Sequence, residues 1–312
     1  MLSLYDICKF LKHKVLMPIL SIPHLRLIDK RKYEELERNF EALKSMTDVR
    51  TLKPATGSFR ELQLKNLEFT KEIVSKLEQN GFNLIMTSGT LLGAERHGGF
   101  IPWDDDIDFM LMRSDFERLR EYAQNKYKVF YQISNKYFPS GVAKQRKKEL
   151  LEQYPNQVIM LVYPDMYKFI KGISIDNYVQ FDVFAYDYYD ENLSYEDYIA
   201  CAEDIKQSIL WKIDNTEKIV LKINDFIKKN TCVVEKSNKI SYGIANPGST
   251  IPSQRTDFWT NDDYFPLKRM KFEGVEFWAP NNHIKVLDYW CKHWREVPNS
   301  ILPPHESERK GS

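Results

Sequence analysis

Four aspartates crowd the run Trp103-Asp104-Asp105-Asp106-Ile107-Asp108. In an extended chain alternate side chains share a face, so Asp104, Asp106 and Asp108 turn one way and Asp105 and Ile107 the other. Converging carboxylates repel one another and call for a cation, and a set of oxygen ligands suits Mg2+ or Mn2+. Two plainer readings compete with a metal site. Asp-rich turns are common on solvated loops. An EF-hand calcium loop would also use acids at 104, 106 and 108, but it needs Gly and Glu where this chain has Phe109 and Asp115, so that reading does not fit.

Upstream, Thr87-Ser88-Gly89-Thr90-Leu91-Leu92-Gly93 is a small-residue turn between a strand pattern and a helix pattern. Backbone N–H groups at a helix N-terminus can hold a phosphate, and Gly89 lets the backbone come close. Downstream, Asp182 stands in the apolar strand pattern Gln180-Phe181-Asp182-Val183-Phe184. A carboxylate there needs a partner. It could be a metal, an acceptor hydroxyl for which Asp182 serves as base, or a Lys or Arg in a buried ion pair. Arg96 and His97, just before the acidic run, are candidates for phosphate contacts. Lys144 and Arg146 are further candidates, although a surface role suits them better.

Several elements must position these groups. Apolar residues from Leu62 to Leu77 predict a helix over 61–79, with Gly81 as its stop. A strand over 82–86, a short helix over 90–96 and a second strand over 107–112 follow. Ser114-Asp115-Phe116-Glu117 reads as a capping box opening a helix to about Asn125. The aromatic and β-branched stretch 178–185 predicts a third main strand, and 195–229 a long helix. Near the end, Glu273-Gly274 reads as a hairpin turn between 269–272 and 275–278, before a last helix over 282–294. Helices and strands mixed in this way argue for the α+β class, a small mixed sheet flanked by helices with helical additions. Residues 1–55 read as an N-terminal helical arm and 56–310 as the catalytic body.

In the arm, basic and apolar residues alternate from Ile7 to Leu16, and Pro18 and Pro23 interrupt any helix. A helical arm packed on the body is the favoured reading, and a segment resting on a membrane surface the sharper one. Over the whole chain, 45 Lys+Arg nearly balance 44 Asp+Glu, so no global field marks nucleic acid as a partner. Cys8, Cys201, Cys232 and Cys291 lie apart without CxxC spacing. That argues against a zinc site or a disulfide scaffold, and for a reducing cytosol. No apolar run is long enough to span a bilayer and no signal-peptide pattern opens the chain. The expected location is cytoplasmic, at the inner face of the cell membrane if the arm binds it.

The stretch from Ser88 to Asp108, Ser-Gly-Thr-Leu-Leu-Gly-Ala-Glu-Arg-His-Gly-Gly-Phe-Ile-Pro-Trp-Asp-Asp-Asp-Ile-Asp, resembles the signature of the LicD family. That family includes bacterial phosphocholine transferases and the fukutin group. Gln180-Phe181-Asp182-Val183-Phe184 resembles the family's strand with a third acid. Phe265-Pro266-Leu267, Phe272-Glu273-Gly274, Ala279-Pro280 and Trp294 resemble its C-terminal block. The resemblance implies a nucleotidyltransferase-like core in which Ser88 and Gly89, with Thr90 beside them, match the phosphate-holding turn. Asp106 and Asp108 match the paired metal acids, Asp182 the third acid, and Asp104 a supporting carboxylate. One departure stands out. Members of the fukutin-related branch carry an inserted segment of clustered Cys and His that binds zinc, and this chain has no such cluster, so zinc is not expected.

By the same resemblance, Mg2+ or Mn2+ on these acids would bind a CDP-linked donor, and a phospho-alcohol such as phosphocholine or ribitol phosphate would pass to a sugar hydroxyl. CMP would leave, and the acceptor would be a glycan or lipid-linked oligosaccharide of the cell surface. A second enzyme reading keeps the fold and transfers NMP from an NTP with release of diphosphate. A reading of another class is a non-catalytic scaffold that binds a glycan or a partner enzyme.

Overall fold

A computed structural model of the chain describes residues 30–131, 140–205, 216–229, 232–246 and 257–298. The chain divides into two compact units, Met1–Asp48 and Val49–Ser312. The described part of the first is helix α1 (Lys30–Met46), where Leu36, Phe40 and Leu43 fall at helical spacing on one side. The expected membrane-surface segment, Ile7 to Leu16, lies outside the described residues. Among those described, no helix is long and apolar enough to cross a membrane.

The second unit begins with a 3-10 turn (Val49–Thr51) and α2 (Gly57–Glu78), followed by β1 (Ile85–Met86), α3 (Ser88–His97), β2 (Asp108–Met112), α4 (Arg113–Gln124) and β3 (Lys128–Tyr131). Next come α5 (Ser140–Gln153), β4 (Ile159–Tyr163), β5 (Met166–Ser174) and the long β6 (Asn177–Tyr189). After α6 (Tyr195–Ile205) and α7 (Thr216–Lys229) lie β7 (Val233–Val234), β8 (Lys239–Tyr242), β9 (Trp259–Thr260) and α8 (Asn261–Tyr264). The hairpin β10 (Lys268–Phe272) and β11 (Val275–Ala279) precedes α9 (His283–Trp290).

The described strands form one mixed sheet in the order β10-β11-β1-β2-β6-β5-β4-β3, with β7 and β8 joined to the far end of β6 and β9 to β8. The α+β class is as expected. The sheet is larger than the small one anticipated, because β3, β4, β5, β7, β8 and β9 had not been read from the pattern. Three pairings are parallel, β1 with β11, β2 with β6 and β3 with β4, and the rest are antiparallel.

Register decides which side chains share a face. Phe109 lies opposite Val183, and Phe181 opposite Phe169, so these residues line one face of the sheet. Phe69 of α2 meets Phe181 with ring centroids 5.7 Å apart, and Phe116 of α4 stacks on Tyr167 at 3.8 Å. This is the main core. One residue along, Asp108, Asp182 and Lys168 are register partners on three adjacent strands, so they form a row on the opposite face.

The far ends of β2 and β6 are clamped by a buried ionic group. Arg113 binds Asp187 through Nε at 2.7 Å and Nη2 at 2.9 Å, and Asp165 through Nη1 at 2.5 Å. The expected capping box at Ser114 does not form: α4 starts two residues earlier, straight from β2, with Met112 in the cap position and no side-chain cap bond. Glu117 instead pairs with Arg113 and Arg120. Cys201 on α6 and Cys232 bring their Sγ atoms to 3.1 Å, and both are free thiols.

Candidate active site

The acidic run precedes β2 as an extended segment, and its backbone is held from α2 and β6. Gln63 donates to the Asp104 carbonyl at 2.7 Å and Asn66 to the Asp105 carbonyl at 2.5 Å. Asn66 also accepts the Gln180 N–H at 3.0 Å, and the Asp182 N–H reaches the Ile107 carbonyl at 2.9 Å. Both amide side chains are fully buried, so each is committed to this task. Asp108 is pinned from both sides by the entry to α3. Its N–H donates to Thr90 Oγ1 at 2.7 Å, and its carbonyl accepts the Thr87 N–H at 3.1 Å.

With the backbone fixed in this way, Asp106, Asp108 and Asp182 each place a carboxylate oxygen within 4.8 Å of the others. Asp105 turns the other way and is completely buried. Asp104 is outside the trio and lies beside the start of α3, where a Cβ on Gly89 would meet its Oδ2 at 2.6 Å. A side chain at position 89 would therefore displace the Asp104 carboxylate. The unusual backbone of the turn belongs to Ser88 (φ 48°), a left-handed conformation that a serine holds only when its surroundings enforce it.

Asp182 answers the question its setting posed twice over. Lys168 Nζ donates to its Oδ2 at 2.7 Å, so the buried ion pair exists, and the same residue belongs to the acidic trio. Its Oδ1 is buried and accepts no hydrogen bond. Burial, then Asp106, Asp182 and Asp104, push the Asp108 carboxyl well above the usual range, with Lys168 opposing. Burial also works against the Lys168 ammonium, but Asp182 outweighs it and holds that group above the ordinary lysine range. Three mutually repelling carboxylates with one orphaned oxygen fit a divalent cation.

Other expected contacts are placed elsewhere. Arg96 is buried, donating to the Trp294 carbonyl at 2.7 Å and to His97 Nε2 at 3.0 Å, with Trp103 beneath its guanidinium. Its charge ties the C-terminal segment to α3, a use different from the phosphate contact expected of it. His97 is pushed down to about 4, first by burial and then by Arg96, so it is neutral at ordinary pH. Arg146 lies on α5 near Glu149, at 3.6 Å, on the surface face that suited it better. The conspicuous Phe272-Glu273-Gly274 block has a structural task. Glu273 binds Arg60 at 2.6 and 2.9 Å and accepts the Phe100 N–H at 3.0 Å, latching the β10–β11 turn to the segment before the acids.

Sequence reasoning missed Lys168, Gln63 and Asn66. Each had the same signal as Asp182, a polar residue within an apolar strand or helix face. Tyr186, Trp259 and Tyr264 pack on one another and are completely buried or nearly so, which makes them core rather than an open stacking surface.

Residues 81–198 match the family described as LicD/FKTN/FKRP, nucleotidyltransferase domain. The lipopolysaccharide cholinephosphotransferase LicD of Haemophilus influenzae is 31% identical over 101 residues, 32% of this chain and 34% of that one. An uncharacterised protein of Rickettsia prowazekii is 36% identical over 67 residues, 22% of this chain and 25% of its own length. Another, from Rickettsia typhi, is 44% identical over 48 residues, 15% of this chain and 16% of its own. The chain thus spans about a third or less of the curated relatives it matches. The matched residues, 81–198, include Ser88, Gly89 and all three clustered carboxylates, so the likeness to the LicD nucleotidyltransferase domain falls on the candidate site itself.

Proposed function

We propose that this domain is the centre of a metal-dependent transferase that moves a phospho-alcohol, phosphocholine first among them, from a CDP-linked donor to a sugar hydroxyl of a cell-surface glycan, releasing CMP. The observation that carries the reading is the meeting of Asp106, Asp108 and Asp182 on one face of the sheet, beside a helix start, within the matched domain. Mg2+ or Mn2+ held by these three acids would stabilise charge on the phosphoryl group in flight. The chain's own groups do the rest. Backbone N–H groups at Ser88 and Gly89 face the donor phosphates, favoured by the positive end of α3. Gln63, Asn66 and Thr90 keep the acids in register through the backbone. A carboxylate of the trio orients the acceptor hydroxyl and receives its proton as the new P–O bond forms.

Incubation with CDP-choline and a lipopolysaccharide acceptor, and separately with CTP, followed by nucleotide chromatography, tests this reading against NMP transfer. CMP formed without diphosphate supports it, and diphosphate formed without CMP overturns it. An acceptor that is lipid-linked would place the work at the inner face of the cell membrane, with residues 1–50 in contact. Liposome co-sedimentation of the full chain against one starting at Thr51 tests that part, and equal partitioning would remove it.

A further inference from the structure

Lys168 occupies the middle of β5, opposite Leu161 on β4 and Asp182 on β6. Pairing on both sides fixes its backbone, its neighbours Tyr167 and Phe169 are buried on the other face, and only 9% of the residue is exposed. The ammonium therefore cannot swing out to water, and it takes Oδ2 of Asp182 at 2.7 Å while Oδ1 of the same carboxylate has no partner. We propose that Lys168 is a positioning residue whose ammonium stands where a second divalent cation would sit, so that the centre loads a single metal ion and Asp182 offers that ion Oδ1 alone. The inference rests on the metal-dependent reading above.

Charge balance favours it. Three carboxylates and one ammonium leave two negative charges, which one divalent ion neutralises. A second ion would leave two positive charges beside Asp108 and Asp182, whose exposures are 9% and 6%, and unbalanced charge in such a setting is strongly disfavoured. Geometry agrees. Two-metal centres hold their ions roughly 3.5–4 Å apart between shared oxygen ligands, and the Lys168 bond already uses one of the Asp182 oxygens. Asp104, the fourth acid nearby, lies against the start of α3, where the helix dipole offsets part of its charge.

The test counts Mn2+ bound per chain, by electron paramagnetic resonance of the unbound ion, in the full chain, in Lys168→Met and in Asp106→Asn, with circular dichroism as a check on folding. One ion in the unaltered chain, two in Lys168→Met and none in Asp106→Asn is the expected result. Two ions in the unaltered chain would overturn the inference and leave the metal-dependent reading standing, whereas none would overturn both. One ion in folded Lys168→Met would show a merely structural lysine and overturn the proposal. If Lys168→Met unfolds without metal, refolding on addition of Mn2+ supports the proposal and failure to refold overturns it.

Discussion

Replacing Arg113 by Met removes the cation that holds two buried carboxylates at the far ends of β2 and β6. The side chains of Asp165 and Asp187 are 1% and 0% exposed. Their other bonds are the Ala245 N–H to Asp165 at 2.7 Å and the Ile244 N–H to Asp187 at 2.9 Å. Breaking a buried ion pair from one side costs about 3–5 kcal/mol, because the remaining charge has no compensation. Protonation limits the loss here, since burial already raises the proton affinity of Asp187 despite Arg113, so the lower part of that range, about 3–4 kcal/mol, is expected. At about 2–4 °C per kcal/mol for a folded unit of this size, Tm falls by roughly 6–16 °C. Thermal unfolding followed by circular dichroism at pH 7 measures it. Adding Asp165→Asn and Asp187→Asn to Arg113→Met should restore more than half of the loss, because the buried charges are then gone. A fall under about 3 °C, or no recovery in the triple variant, would refute the clamp.

Two glycines near the site should respond differently to alanine. At Gly93 a Cβ would meet the Gly99 carbonyl oxygen at 2.4 Å, a backbone atom that cannot yield cheaply, whereas at Gly89 it would meet only the mobile end of Asp104. Gly93→Ala should therefore lose about 1–3 kcal/mol in denaturant unfolding and Gly89→Ala less than about 1. Equal losses would contradict the geometry. His97 should make stability pH-dependent. The unfolded chain takes up that proton near pH 6.5 and the folded chain only near 4, so stability is complete above about pH 6.5 and declines as pH falls towards 4. The group is only half buried, which discounts the effect to about 1–2 kcal/mol. His97→Gln should flatten that part of the profile, and an unchanged slope would rule the residue out.

The row of acids was legible in the sequence because alternation along an extended segment is a local property, and Asp106 and Asp108 obey it. The hairpin at Glu273-Gly274 was legible for a similar reason: both residues take positive φ, 52° and 77°, as a two-residue turn between strands requires. What escaped depends on long-range pairing. Lys168 becomes part of the site only because β5 lies beside β6 in a particular register, a pairing that no local pattern states. Arg96 looked like a phosphate ligand because its partner, the Trp294 carbonyl, is distant in sequence. The capping box failed for a local reason, since β2 passes directly into α4 and leaves no room for Ser114 outside the helix.

Whether the three carboxylates are the working centre is tested most directly by thermal unfolding with CDP-choline, with and without Mg2+, in the intact chain and in Asp106→Asn. The donor should raise Tm only when Mg2+ is present, and Asp106→Asn should lose that protection while keeping its own Tm without ligand. Protection that needs no metal, or that survives intact in Asp106→Asn, would contradict a donor site built on these acids.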